Sequence, residues 1–350
     1  GVMLMGSLRC SPGEYIKSGC MESVGTITSS LWIQENNSWM QVPVGHAIVD
    51  GRIVPSDWRA VVLGPVMMVR WPHMVLAAFL TTAMCVIATG AWYLLRGVHR
   101  DEAKVMLHWG CGLAAVLIPA QIFLGHLSGL YVYEHQPAKF AAIEARWHAE
   151  QPGTEVWLAW PDASRERNRF AIATPGIGSL IATGRWDAPM PGLSSFPPED
   201  RPPVLIPFFG FRIMVGMGLL MLAVSWGGVA LRLAGRVDRA RWFLWVAFLS
   251  FPSGFVATLA GWYTAEVGRQ PWVVYGLLRT ADAVTTSLRT GDVLVSLAVY
   301  GLVYTVCMGF GITYIYRLLR DGPGPACPVP DAAPSRPLAF SEGGPGGRRR

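Results

Sequence analysis

Residues 242–272 read WFLWVAFLSFPSGFVATLAGWYTAEVGRQPW. From Trp242 to Ala265 there is no acidic or basic side chain, and a bilayer core is crossed by about 20 such residues in a helix. The run then closes on GWYTAEVGRQPW, residues 261–272, which adds a carboxylate, a guanidinium and two indoles. Read as one helix, Trp262, Glu266 and Arg269 fall at i, i+4 and i+7 and share a face. A charge at the centre of a span costs roughly 2.5–3.5 kcal/mol on insertion scales, so ionisable groups there are functional candidates. A snorkelling pair at the interface beside a Trp belt is the other reading, and residue types alone leave both open.

The rest of the chain agrees with a membrane protein. Of its 350 residues 52% are hydrophobic and 15% charged, and the mean hydropathy is +0.35, too apolar for a soluble globule of this length. Further runs long enough to span lie at 73–95, 105–126, 207–231 and 293–316, which with 242–266 make five. The sequence therefore predicts an all-α polytopic membrane protein with a long loop between the second and third spans.

The net charge of +6 follows topology, not nucleic acid. Arg96, Arg100 and Lys104 fill one short connection, Arg232, Arg236, Arg239 and Arg241 another, and Arg317 and Arg320 follow the last span. Alternation puts all three on one face, the cytoplasmic one by the positive-inside rule, despite Arg269, Arg279 and Arg289 opposite. The loop 127–206 then lies on the outer, periplasmic side. Cys85, Cys111 and Cys307 sit in apolar runs and Cys10, Cys20 and Cys327 are scattered, so no C-x-x-C pair and no zinc or disulfide framework arises.

Five regions follow. Residues 1–60 read as a polar N-terminal remnant without a full-length span, and the chain looks like a fragment or a protein with a replaced front end. Residues 61–126 form a helical hairpin, with Pro72 in the first turn of its first helix and Gly125 and Gly129 at its exit. The outer loop 127–206 contains a helical stretch, AKFAAIEARW, with Phe140, Ile143 and Trp147 as an apolar stripe. Residues 207–320 carry three spans. The Gly- and Pro-rich tail 321–350 reads as a flexible cytoplasmic end.

Several residues could carry chemistry. His73, at the outer end of the first span, either caps neighbouring backbone or binds iron. Met214, at the outer end of the third, either fills an apolar gap or supplies a thioether. Alternation places both at one depth, where a His/Met pair would suit an electron-transferring haem. Arg212, two residues from Met214, points to another face, towards a haem propionate or another helix. In the outer loop Lys139 and Glu144 are the cation and carboxylate that quinol oxidation requires, or else the polar face of a solvated helix. His108, His126, His135 and His148 read as interfacial or loop histidines.

Five motifs then match one family in its order: NSWMQ-P-VG, EHQPAKFAAIEARW, NRFAIATPGIGSLIAT, FRIMVGMG and GWYTAEVGRQPW. Over residues 37–322 the chain resembles subunit I of cytochrome bd-type quinol oxidases, in the branch with the shorter outer loop. The resemblance implies a multi-pass protein of the bacterial inner membrane that oxidises ubiquinol or menaquinol at the outer face and passes electrons through haem towards oxygen, with subunit II as its partner. It implies His73 and Met214 as axial ligands of a low-spin haem b with Arg212 nearby, and Glu266 as ligand of a high-spin haem b. Trp262 becomes an aromatic link between haems, Arg269 the partner of a carboxylate or propionate, and Lys139 and Glu144 quinol-site residues.

The departures are as informative. The family carries earlier helices with the histidine of the oxygen site, which holds haem d or a third haem b. Residues 1–36 offer no counterpart: Glu14, Glu22 and Glu35 lie outside apolar helices, and the first histidine, His46, falls in a polar turn. His126 stands where the family usually has Asp. Two other functions remain in view, a non-catalytic haem-binding or assembly subunit and a haem-free transporter using Glu266 and Arg269.

Overall fold

The computed structural model describes residues 12–322. Beyond Gly322 the expected tail lies outside the described residues, as do Cys10 and Cys327. The first described element is a helix, α1, Pro12–Gln41, in a region that apolar periodicity leaves unassigned. Lys17, Glu22, Glu35 and several Ser, Thr and Asn residues dilute its apolar character. Its last turns bury Glu35, Ser38 and Gln41, so its inward face near that end is polar and carries no hydrophobic stripe. A hairpin follows, β1 His46–Val49 paired with β2 Arg52–Pro55, and His46 opens a strand. A short helix α2, Trp58–Val62, is capped by the Asp57 carboxylate, which accepts from the amides of Arg59 and Ala60.

The first apolar hairpin is α3, Pro65–Arg96, and α4, Arg100–His135. Pro65 takes the first helical turn, so Pro72 lies inside α3 and not at its start. Gly97, left-handed at φ 73°, ends α3 by donating to the Tyr93 and Leu94 carbonyls. α4 runs through Gly125 and Gly129 instead of stopping there. In the long loop between the second and third spans come α5, Pro137–Ile143, an antiparallel pair, β3 Glu155–Asp162 and β4 Arg167–Thr174, and α6, Ile177–Thr183. The expected stripe to Trp147 breaks because Ala145 adopts φ 48°. Trp147 instead donates to Asn168.

α7, Leu205–Leu233, is the third span. The fourth divides into α8, Arg241–Leu249, and α9, Ser253–Val267. Pro252, without an amide hydrogen to continue the ladder, stands at the break. After the short pair β5 Trp272–Val274 and β6 Leu278–Arg279 comes α10, Thr290–Asp321. Five helical stretches of the described chain are thus long and apolar enough to cross a membrane, 58–96, 100–135, 198–233, 241–267 and 290–321. The chain from Leu294 on is a unit of its own.

The bundle core joins Leu80, Met84 and Ile87 of α3 to Leu107, Cys111 and Ile118 of α4, Met221 and Val224 of α7, and Phe243 and Leu244 of α8. Lipid is as apolar as leucine, so close packing holds such helices together. At Gly110 a methyl group would stand 2.7 Å from the Ile87 side chain, which is why α3 and α4 approach so closely. A second core, from Ala141 through Trp147, Val156 and Leu193 to Phe208, fastens the long loop to the start of α7. This arrangement gathers the end of α1, the beginnings of α3 and α7, the ends of α4 and α9, and α5 at one end of the bundle.

Candidate functional site

A charged cluster occupies that end. The Arg70 guanidinium on α3 donates to Asn37 Oδ1 at 2.6 Å and to Ser38 Oγ at 3.2 Å. The Asn37 amide in turn donates to Glu266 Oε1 at 2.6 Å, and Arg269 Nη2 meets Glu266 Oε2 at 2.6 Å. Both oxygens of Glu266 are therefore engaged. α9 ends at Val267, so Arg269 does not continue the helical face read from sequence. It turns back onto Glu266 and is buried, while Trp262 is 58% exposed and rests on Tyr263.

Lys139 is buried on α5, and the solvated-helix reading does not hold. Its Nζ donates to Gln41 Oε1 and to the Ala265 carbonyl, both at 2.9 Å. Gln41 also donates its amide to Ala265, and its backbone oxygen accepts from Gln136. Neither acceptor of Lys139 is charged. Burial, joined by the positive charges of Arg70 and Arg269 against that of Glu266, holds the amine well below the ordinary lysine range.

Glu144, at the C-terminal cap of α5, is equally buried and belongs to a second group. Arg212 Nη2 lies 3.2 Å from Glu144 Oε2 and 3.8 Å from Glu155 Oε1. The same guanidinium donates to the carbonyls of Ile143 at 2.7 Å and Val156, and sits 3.7 Å over the Phe208 ring. Arg212 thus spends most of its donors on the long loop. The left-handed Ala145 separates Glu144 from Arg146, a backbone state costing of order 1–3 kcal/mol.

His73 and Met214 each rest against a glycine. The His73 ring lies over Gly125 of α4, 3.2 Å from where a methyl group would be, and its Nε2 is 3.2 Å from the Gln121 amide. Its Nδ1 is buried without a partner, a state that costs about 1–3 kcal/mol unless something fills it. The Met214 sulphur sits 2.7 Å from the corresponding point at Gly261 of α9. Among the described residues no three His, Cys, Asp or Glu side chains gather as metal ligands. Single nitrogen and sulphur donors at one end of a bundle, with an orphaned imidazole atom and two glycine surfaces, fit a macrocycle that brings its own equatorial ligands.

A family model for cytochrome bd terminal oxidase subunit I matches residues 1–323. The chain belongs to the cytochrome bd terminal oxidase subunit I family. It is similar to cytochrome bd-II ubiquinol oxidase subunit 1 of Escherichia coli (strain K12), 29% identical over 92% of this chain and 76% of that one. It is also similar to cytochrome bd ubiquinol oxidase subunit 1 of Bacillus subtilis (strain 168), at 32% identity over 85% of this chain and 65% of the relative. The solved structure of bd oxidase from Geobacillus thermodenitrificans superposes with a TM-score of 0.80 at 26% identity, covering 92% of this chain and 74% of that one.

Against the family motifs, the structure adds residues that the sequence reading passed over: Asn37, Gln41, Arg70, Gln121, Gln136 and Glu155. Asn37 and Gln41 stand in NSWMQ and Gln136 in EHQPAK, inside quoted motifs but without a role. Arg70 and Gln121 carried a usable signal, since a polar side chain inside a span needs a reason.

Proposed function

We propose that the chain is the haem-bearing, quinol-oxidising subunit I of a bd-type quinol:oxygen oxidoreductase in the bacterial inner membrane, with subunit II as its partner. The observation that carries this reading is that Lys139 and Glu144, from one short helix, are both buried, and that their partners are the ends of the spans bearing Glu266 and Met214. A solvated loop helix has no use for such burial.

The residues present fit haem. His73 and Met214 would hold a low-spin haem b, and Glu266, whose oxygens accept from Arg269 and Asn37, would hold a high-spin haem b, with Trp262 as an aromatic link. When bound, haem supplies the one-electron chemistry that side chains lack, and thioether ligation favours its reduced state. The protein's part is with protons and charge. Glu144 takes the proton of a quinol hydroxyl at the outer face. Lys139, with only neutral acceptors, offers its positive charge to the oxygen left behind. Arg212 holds Glu144 in place by a charged hydrogen bond and ties the loop to α7. Arg269 donates to Glu266 and holds its carboxylate in place.

Reduced-minus-oxidised spectra of the purified protein, with and without Met214→Leu, test the reading. A low-spin haem b band that the substitution shifts or abolishes is expected, and well-folded protein without a haem signal refutes it. Quinol-dependent oxygen uptake with the partner subunit then separates an oxidase from a subunit that only binds haem.

A further inference from the structure

Arg212 faces two carboxylates, and the proposed mechanism uses one. Glu155, the first residue of β3, approaches the same Nη2 atom as Glu144, at 3.8 Å against 3.2 Å. The two carboxyl groups are close enough to share a hydrogen bond. Arg146 is the other charge that acts on Glu155, and its Nη2 donates to the Thr154 carbonyl. The side chain of Glu155 is 13% exposed and that of Glu144 6%, so Glu155 is the member of the pair nearer water.

We propose that Glu155 and Glu144 form a proton-holding pair in which Glu155 is the exit to the outer aqueous phase, an inference that rests on Glu144 being the quinol base. Two carboxylates in one low-dielectric pocket do not both ionise readily, so one proton stays between them. Burial first, then the Glu144 charge and the shared hydrogen bond, push Glu155 up to about 8 against the opposing pull of Arg212 and Arg146. In the resting pair the proton sits on Glu155, the member farther from Arg212. The acid donates its hydrogen bond to Glu144 and so keeps that side chain oriented. When Glu144 accepts a quinol hydroxyl proton, the O–H bond of the quinol breaks and one forms on Glu144. Glu155 then gives its own proton to water and takes the one on Glu144 in exchange. One proton enters the pair and one leaves, and the pair returns to its resting charge.

The test uses the haem-loaded oxidase with its partner subunit and the variants Glu155→Gln, Glu155→Asp and Glu144→Gln. In the infrared, the unaltered enzyme should show a carboxylic acid C=O band that disappears as pH rises through about 8. Glu155→Gln should lack that band with haem content unchanged. Its oxidation of a quinol analogue should fall by about 10²-fold, the low end for a proton-transfer group, and the ionisation near 8 should vanish from the pH profile. A residue with a structural role alone would scale the rate and leave the profile's shape. Glu155→Asp should keep the band with a moved midpoint, which serves if the Gln variant fails to assemble. The proposal is overturned if the band and the alkaline ionisation persist in Glu155→Gln, or if the midpoint stays put in Glu155→Asp. Full quinol oxidation by Glu144→Gln would instead refute the quinol-site reading itself.

Discussion

Replacing Gly261 by Ala puts a methyl group 2.7 Å from the Met214 sulphur. Heavy atoms in ordinary contact stand about 3.5–4.0 Å apart, so the sulphur must withdraw by at least about 0.8 Å. It lies near the end of an unbranched side chain that turns at little cost, and Ala is favoured over Gly inside a helix by up to about 1 kcal/mol. Gly261→Ala should therefore leave thermal unfolding in detergent within about 1 kcal/mol of the parent while displacing the proposed haem donor. Gly125→Ala is the graded control: its methyl group would meet the His73 ring at 3.2 Å, a displacement of about 0.3 Å on the same contact scale. Reduced-minus-oxidised spectra and redox titration of the two variants should show a clear change in the low-spin haem b signal for Gly261→Ala and a smaller one for Gly125→Ala. A folded Gly261→Ala protein with an unaltered band and midpoint potential would refute the placement of Met214 at the haem.

Other tests follow from the same geometry. Arg212→Lys keeps the charge but not the planar fork that reaches Glu144 and the Ile143 and Val156 carbonyls, so limited proteolysis should cut the loop around β3 and β4 faster than in the parent. An unchanged cleavage rate would show that the apolar core alone holds the loop. Lys139 has its folded-state value well below 10.5, so between that value and 10.5 the unfolded chain binds more protons than the folded one. Stability should rise with pH across that window and be least below it. Lys139→Met should flatten the rise, with its gain over the parent greatest at the acid end, and should abolish quinol oxidation. An identical pH slope in parent and variant would contradict a buried lysine that gives up its proton more readily than a free one.

The spans were legible because a bilayer demands long apolar runs, and no other feature of a chain produces five of them. The front helix was not, because α1 turns Glu35, Ser38 and Gln41 inward, and apolar periodicity is blind to a polar inner face. The break in the fourth span was written as Pro252, but a single proline inside an apolar run also fits a kinked continuous helix. Gly125 and Gly129 looked like an exit, whereas Gly125 makes room for an imidazole from the neighbouring helix. At the site, residue types pointed to Lys139, Glu144, Glu266 and Arg269. Their partners were invisible in sequence because they lie far along the chain: Gln41 for Lys139, Asn37 for Glu266, Arg212 for Glu144.

Gln41 carries a consequence of its own. Its side-chain oxygen accepts from Lys139 while its nitrogen donates to the Ala265 carbonyl, so the amide has a head and a tail that its surroundings tell apart. An isosteric glutamate would satisfy the lysine but set oxygen against oxygen at Ala265, and its negative charge would bind the lysine in a fixed ion pair. By choosing an amide there, the chain leaves the lysine with neutral acceptors and no counterion among the described residues.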